Sequence, residues 1–411
     1  MFLLTLSIIV GVFAFELILS VLNYKHRHAP IPENVRDVYD KEAYKNWLKY
    51  NMEVTRLSIL HKIADLILIL LVFTLGLFPF LADVSGRMVS HNIIQTIVFL
   101  GLYSAISYVF TIGFQVYRTF SIEERYGFNT VTPRMFVIDQ IKSIVLGGLI
   151  GSGILFILLS LYDKMGRASI LYSWAILITF SLIFNVLYTK VFIRLFNTLT
   201  PVEDGELHDK INVLAQKTGY AVRQISIMDA SKRSTKLNAF FSGFGKFKHI
   251  ILYDTLIEKC STGEILSILA HEIGHSKHKD VFKNFIVMIV QSAVFLFILS
   301  FFLSSSLFSS AFGFESVHYG FALILFNILM KPVALLLGIP MSAHSRKSEY
   351  KADAFAGIST NKEDMISALK VLARENYSNL TPHPLMVWMT YSHPPIGDRV
   401  NALSNLTDVY K

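Results

Sequence analysis

The sequence predicts a mainly α-helical integral membrane protein with a small α+β region gathered on one side of the bilayer. Three observations carry this. Apolar residues fill 53% of the 411 positions and charged residues only 17%, a balance that belongs to membrane chains. Seven runs are apolar over the roughly 20 residues a helix needs to cross a bilayer core. Between the fifth and sixth runs lies the longest polar insertion, which contains short alternating stretches of strand type.

The seven runs fall near 2–22, 63–82, 93–116, 141–162, 169–192, 284–306 and 319–340. The first has no basic leader and no small-residue cleavage site, and Lys25 and Arg27 follow it, so it reads as an anchor. The fourth contains Gly147, Gly148, Gly151 and Gly153, a pattern that would allow close helix packing. The loops after the first, third and fifth runs, and the tail after the seventh, hold most Lys and Arg. The alternate connections near 83–92, 163–168 and 307–318 hold few. By the positive-inside rule the N-terminus lies outside and the tail is cytoplasmic. The net charge of +8 is accounted for by this asymmetry, and no nucleic-acid partner is expected. Lys190 and Asp65 read as end residues that snorkel. Glu16 and Lys331 lie deeper, where a polar interior is one of two readings.

The insertion spans 203–282. Glu206 to Lys217 has helical spacing, residues 224–228 alternate as a strand, and Asn238-Ala-Phe-Phe-Ser-Gly and His249-Ile-Ile-Leu-Tyr read as two more strands joined by a Gly/Lys turn. A helix begins near Thr262. The tail carries helices near 345–357, 362–376 and 395–403. The chain divides into an N-terminal half, 1–202, with five spans, and a C-terminal half, 203–411, with the insertion, two spans and the tail.

Residues 271–275 read His-Glu-Ile-Gly-His. On a helix, His271 and His275 share a face about one turn apart, where both imidazoles can hold one zinc ion. Glu272 then lies beside the metal and can take a proton from an activated water. A chance match on a solvated helix is the bland alternative. Cys260 is the only cysteine, so a metal must use His and carboxylates. A third histidine ten residues after His271 would define another protease class, and Val281 stands there. His278 is close in sequence but rotated away from His271 on a helix, and reads as a surface residue. Glu349 is the better third ligand. Asp353, four residues on, is placed to accept the outer N–H of a ligating histidine. Without the upstream motif this segment would read as an ordinary charged amphipathic helix.

Several further segments, in order, resemble one family. They are Phe120-Ser-Ile-Glu-Glu-Arg-Tyr-Gly-Phe-Asn129 with Thr132 and Asp139-Gln-Ile-Lys142, Met228-Asp-Ala-Ser-Lys-Arg-Ser234, Asn238-Ala-Phe-Phe, Ile251-Leu-Tyr-Asp-Thr-Leu256, Glu349-Tyr-Lys-Ala-Asp-Ala-Phe-Ala356, and Tyr391-Ser-His-Pro-Pro395 with Arg399. Together they resemble the type I CAAX prenyl proteases, integral-membrane zinc metallopeptidases. The resemblance implies seven helices around a polar chamber and one zinc ion held by His271, His275 and Glu349. It implies oxyanion-side roles for His393 and Arg399, and an edge strand that pairs with substrate at Asn238 and Ala239. The implied substrate is a peptide at the membrane, isoprenylated or plain, with no oligomer required. Ser276 stands where eukaryotic members commonly have Trp, and Lys236 stands near the place of a usual histidine. With its short outer connections, the chain reads as a bacterial inner-membrane member. Two other readings remain at this point: a quality-control protease for membrane proteins, and a non-enzymatic bundle with a structural zinc. Asn376, Asn379 and Asn405 sit in glycosylation-type triplets that a cytoplasmic tail makes accidental.

Overall fold

The structure, a computed structural model, describes residues 1–220, 225–243 and 249–406. Helix α1 (Phe2–His26) leads to α2 (Lys41–Thr74), whose start is fixed by Asp40 accepting the Ala43 N–H at 2.8 Å. At 1.5 Å per residue α2 is about 50 Å long, so part of it projects beyond a hydrocarbon core of about 30 Å. The apolar run expected at 63–82 does not form one helix. Gly76, at φ +67°, breaks it, and α3 (Leu77–Met88) turns away to pack against α4 (Asn92–Tyr117). A π-turn at Arg118–Glu123 follows. Thr132 then caps α5 (Pro133–Met165) by accepting the Met135 N–H. Gly166, at φ +55°, reverses the chain into α6 (Ser169–Leu187), which packs on α5 and ends in the short α7 (Ile193–Phe196).

The C-terminal half begins with β1 (Leu199–Pro201), α8 (Glu206–Lys217), β2 (Ile225–Met228), β3 (Ala239–Ser242) and β4 (His249–Tyr253). Short α9 (Asp254–Lys259) precedes α10 (Thr262–Lys277), α11 (Asp280–Ser304), α12 (Ser306–Ser310) and α13 (Tyr319–Ser359). The tail adds α14 (Lys362–Glu375), α15 (Pro384–Thr390) and α16 (Ile396–Ser404). Among the described residues, six helical stretches are long and apolar enough to cross a membrane. One of them, Pro133–Phe196, has 64 residues. That is three times what one crossing needs, and the reversal at Gly166 divides it at the boundary between the expected fourth and fifth spans.

Three further expectations change. The helix expected near 345–357 is not separate. It is the end of α13, which runs unbroken for 41 residues despite Pro332 and Pro340; prolines are tolerated where neighbouring helices support the freed carbonyls. The glycines of the fourth span do not mark a packing face, since no atom lies within 4 Å of where a Cβ would stand at Gly147, Gly148, Gly151 or Gly153. Asp65 does not snorkel. It lies 3.5 Å from His61 and, with Glu16, Lys62, Asn327 and Lys331, lines a cavity of about 490 Å³ between α1, α2, α4 and α13. These polar side chains share the cavity with a larger number of apolar ones.

The sheet has the order β1-β2-β4-β3, with β2 and β4 parallel and the outer pairs antiparallel. β3 and β4 pair as expected, although most of the Gly/Lys turn between them lies outside the described residues. β1, three residues ending in Pro201, has too little pattern to be read from sequence. The sheet and α10 share one core, in which Ile250, Leu252, Leu256, Leu269 and Ala270 are fully enclosed together with Ala356, Leu369 and Val400. Each of the Ile, Leu and Val side chains contributes about 1.5–3 kcal/mol when fully buried. Trp47 of α2 is also in this core, and its indole N–H donates to the Tyr377 carbonyl at 3.1 Å. The membrane half and the tail are thereby joined under the sheet. Asn376 binds both backbone groups of Leu237, at 2.8 and 3.0 Å, so its side chain continues the strand pairing.

Candidate metal centre

Helix α10 starts on a capping box. Ser261 accepts the Glu264 N–H, and Glu264 accepts the Ser261 N–H at 2.7 Å. Its registration against α13 depends on Gly274. A Cβ there would stand 3.1 Å from the Ala352 Cα, so any larger residue would have to push the two backbones apart by a few tenths of an ångström. That approach carries His271 and His275 up to Glu349. The His271 and His275 Nε2 atoms are 3.2 Å apart. Glu349 Oε2 lies 3.5 Å from His271 Nε2, and Glu349 Oε1 lies 3.2 Å from His275 Nε2. Among the described residues these three form the one group of His, Cys, Asp or Glu side chains that could hold a metal ion. His278 is outside it and rests edge-on against the Phe355 ring. Glu349 Oε2 is buried with no hydrogen-bond partner. A buried carboxylate oxygen without a partner is costly, and a cation bound between the three side chains would satisfy it.

Helix α13 is longer than one crossing of a bilayer core requires. Glu349 is 30 residues along α13 from Tyr319, about 45 Å of helix against a core of about 30 Å.

Carboxylates back both imidazoles. His271 Nδ1 is 2.9 Å from Asp353 Oδ1. His275 Nδ1 is 3.1 Å from Asp280 Oδ2, a buried residue that opens α11 and that sequence reasoning missed. Burial disfavours the charged form of His275, but Glu349, Asp280 and Glu272 outweigh it and hold the ring up to about 9. Such a cluster favours positive charge at its centre, carried by a proton or a metal. Glu272 is half-buried beside His271, and burial pushes its carboxyl above the ordinary range, offset in part by the two histidines.

Arg399 is turned toward Asp353 and Glu349. It is buried in α16 and grips Asp353 with a two-pronged bond, Nε to Oδ2 at 2.8 Å and Nη2 to Oδ1 at 2.6 Å, while Nη1 lies 3.6 Å from Glu349. Removing one partner of such a pair leaves an uncompensated buried charge, at a cost of about 3–5 kcal/mol. His393 is the open-side group: its side chain is 65% exposed and its Nε2 lies 3.4 Å from Glu349 Oε1. Ser392 bonds its Nδ1 at 2.9 Å. Asn238 and Ala239 stand at the start of edge strand β3, which touches α10 and whose outer side pairs with no other strand among the described residues.

The loop motif at 120–129 also finds its place. Glu123 takes hydrogen bonds from the Tyr50 hydroxyl at 2.9 Å and from Lys236 at 3.2 Å, and Lys236 lies over the Phe128 ring. Asp139 receives a two-pronged bond from Arg233 at 2.9 and 3.2 Å. These bonds tie the segment before β3 to the membrane half.

A many-spanning membrane protein with a buried His/His/Glu group and a second glutamate beside it has the makings of a membrane metallopeptidase. The comparisons with known proteins agree. Residues 20–198 match the model for the CAAX prenyl protease N-terminal region, five membrane helices, and residues 201–407 match peptidase family M48. A CAAX prenyl protease 1 homolog of Arabidopsis thaliana is 32% identical, over 91% of this chain and 90% of its own. CAAX prenyl protease 1 of Saccharomyces cerevisiae is 31% identical, over 97% and 94%. The crystal structure of S. mikatae Ste24p superposes with a TM-score of 0.93 at 30% identity, covering 98% of both chains. The chain therefore belongs to peptidase family M48, with the membrane region of the CAAX prenyl proteases.

Proposed function

We propose that this chain is a zinc endopeptidase that cleaves CAAX-type, isoprenylated peptides near their C-terminus at the cytoplasmic face of a membrane, with the bacterial inner membrane as its setting. The observation that carries the reading is the convergence of His271, His275 and Glu349. The two Nε2 atoms lie 3.2 Å apart, each faces one of the two Glu349 oxygens, and one donor atom from each of the three side chains falls within 4.8 Å of the others, which suits a single ion bound by His and carboxylate. The relatives' names, and a match that spans both the membrane and the peptidase regions, support this substrate class over membrane-protein quality control. They also leave no place for a non-enzymatic bundle.

In this reading His271, His275 and Glu349 hold the ion, which when bound supplies Lewis acidity to a water and to the scissile carbonyl. Asp353, 2.9 Å from His271 Nδ1, favours a proton on that nitrogen and leaves Nε2 for the metal. Arg399 holds Asp353 and so acts as a positioning residue. Asn238 and Ala239 offer backbone groups on an open sheet edge, to which an extended peptide can add as a strand. Glu272 takes the proton from the attacking water and passes it to the leaving amine. His393 donates to the oxygen that becomes negative as the carbonyl turns tetrahedral.

The test is cleavage of matched peptides, isoprenylated and plain, before and after zinc is stripped and restored. Equal turnover of the two removes the prenyl preference, and full activity without metal removes the whole reading. His393→Ala should lower kcat by about 10²–10³, the scale for losing one oxyanion donor, with metal content unchanged. A rise in KM alone would make His393 a binding residue. Reporter fusions should place 23–60 and 341–411 in the cytoplasm and 307–318 outside. A tail reached from outside overturns the orientation.

A further inference from the structure

Each metal-side histidine has a carboxylate beside its Nδ1, Asp353 for His271 and Asp280 for His275, and only the first lay in the recognised motifs. We propose that Asp280 is the positioning residue for His275, fixing its ring so that Nε2 faces the metal, as Asp353 does for His271. This rests on the reading of His271, His275 and Glu349 as metal ligands.

For Nε2 to offer its lone pair, the proton must sit on Nδ1, and a buried N–H needs an acceptor. Asp280 Oδ2 is that acceptor for His275, at 3.1 Å. A residue five positions on cannot meet His275 on a continuous helix, because it is turned about 140° away. The chain solves this by stopping α10 at Lys277 and bending through Lys279 at φ +58°, after which α11 starts on Asp280. A left-handed non-glycine residue costs roughly 1–2 kcal/mol, so the bend is held in place by what it brings together. An acid in the first turn of α11 also suits the helix dipole, and Lys283 lies 3.3 Å from the other oxygen, Oδ1. An acid serving only those ends could stay in water. Asp280 is instead 5% exposed, with its second oxygen turned to the histidine.

The test measures zinc affinity of the full-length protein by competition with a chelating dye, alongside its melting temperature without metal. Asp280→Asn and Asp280→Ser should each weaken zinc binding by about 10–100-fold, the usual effect of losing such an outer partner. Asp280→Glu should recover most of it. Lys283→Gln should stay within about twofold of wild type. Wild-type affinity in both neutral variants overturns the proposal, and so does an equal loss in Lys283→Gln, which would make the ion pair the operative feature. Failure of the underlying site reading looks different: the wild type binds no zinc, or His275→Ala binds it as tightly as wild type does. Either result removes the role of Asp280 together with the centre.

Discussion

Glu272→Gln is expected to lower turnover by about 10²–10⁴, the usual contribution of a positioned proton-transfer group, while bound metal stays near one per chain. That loss is about 2.7–5.4 kcal/mol of transition-state stabilisation at 1.36 kcal/mol per decade. Glutamine keeps the size and the buried stem, so the fold and the approach of α10 to α13 should not change. It cannot carry a proton from water to amine. The separation from the metal ligands is geometric: His271 and His275 share one face of α10, and the residue between them projects beside that face. Raised basicity strengthens the assignment, because burial pushes the Glu272 carboxyl upward, toward the value at which a base works near neutral pH. Kinetics and metal analysis on the same sample decide it. A variant that keeps a tenth or more of wild-type turnover would remove Glu272 from the proton path. One that loses its metal would place the residue in the binding shell instead.

What the sequence made legible follows from the range of the signals. The i, i+4 spacings of His271 with His275 and of Glu349 with Asp353 are local, so a helix period exposes them. The apolar runs are equally local, and they locate the membrane half. Three features depend on backbone geometry that hydropathy does not encode. Gly76 takes a left-handed φ and splits an apolar run that looks continuous. The seventh expected span ends at Pro340, but Pro332 and Pro340 both lie inside α13, where packed neighbours can tolerate them. Lys279, an ordinary lysine in sequence, takes φ +58° and folds Asp280 back to His275. Long-range pairings were also hidden. Arg399 could be assigned to the site region by its motif, but only the fold reveals that its guanidinium faces inward to Asp353 rather than outward beside His393. Lys236 looked like a departure near the substrate strand, and its partners Glu123 and Tyr50 lie more than a hundred residues away.

Glu349→Ala should strip the metal, whereas His278→Ala should leave it in place. The first replaces one of three protein ligands. Structural zinc sites are worth about 10–16 kcal/mol over four ligands, so one ligand is worth roughly 3–4 kcal/mol, or 10²–10³ in affinity at 1.36 kcal/mol per decade. Alanine is a good helix former and should not disturb α13. Its effect on folding is expected to be limited, because Asp353 still pairs with Arg399 at 2.8 and 2.6 Å. His278 caps the end of α10 and meets Phe355 at a ring distance of 6.4 Å, outside the group formed by His271, His275 and Glu349. Losing that contact should trim stability slightly and leave the affinity where it was. The pair of variants thus separates two histidine-and-carboxylate arrangements that the sequence alone offers side by side. Metal content after dialysis against a weak chelator is the deciding measurement. Retention in Glu349→Ala with loss in His278→Ala would reverse the assignment, and it would also mean that the Oε2 of Glu349, which accepts no hydrogen bond, is satisfied by its ion pair with Arg399 rather than by a metal.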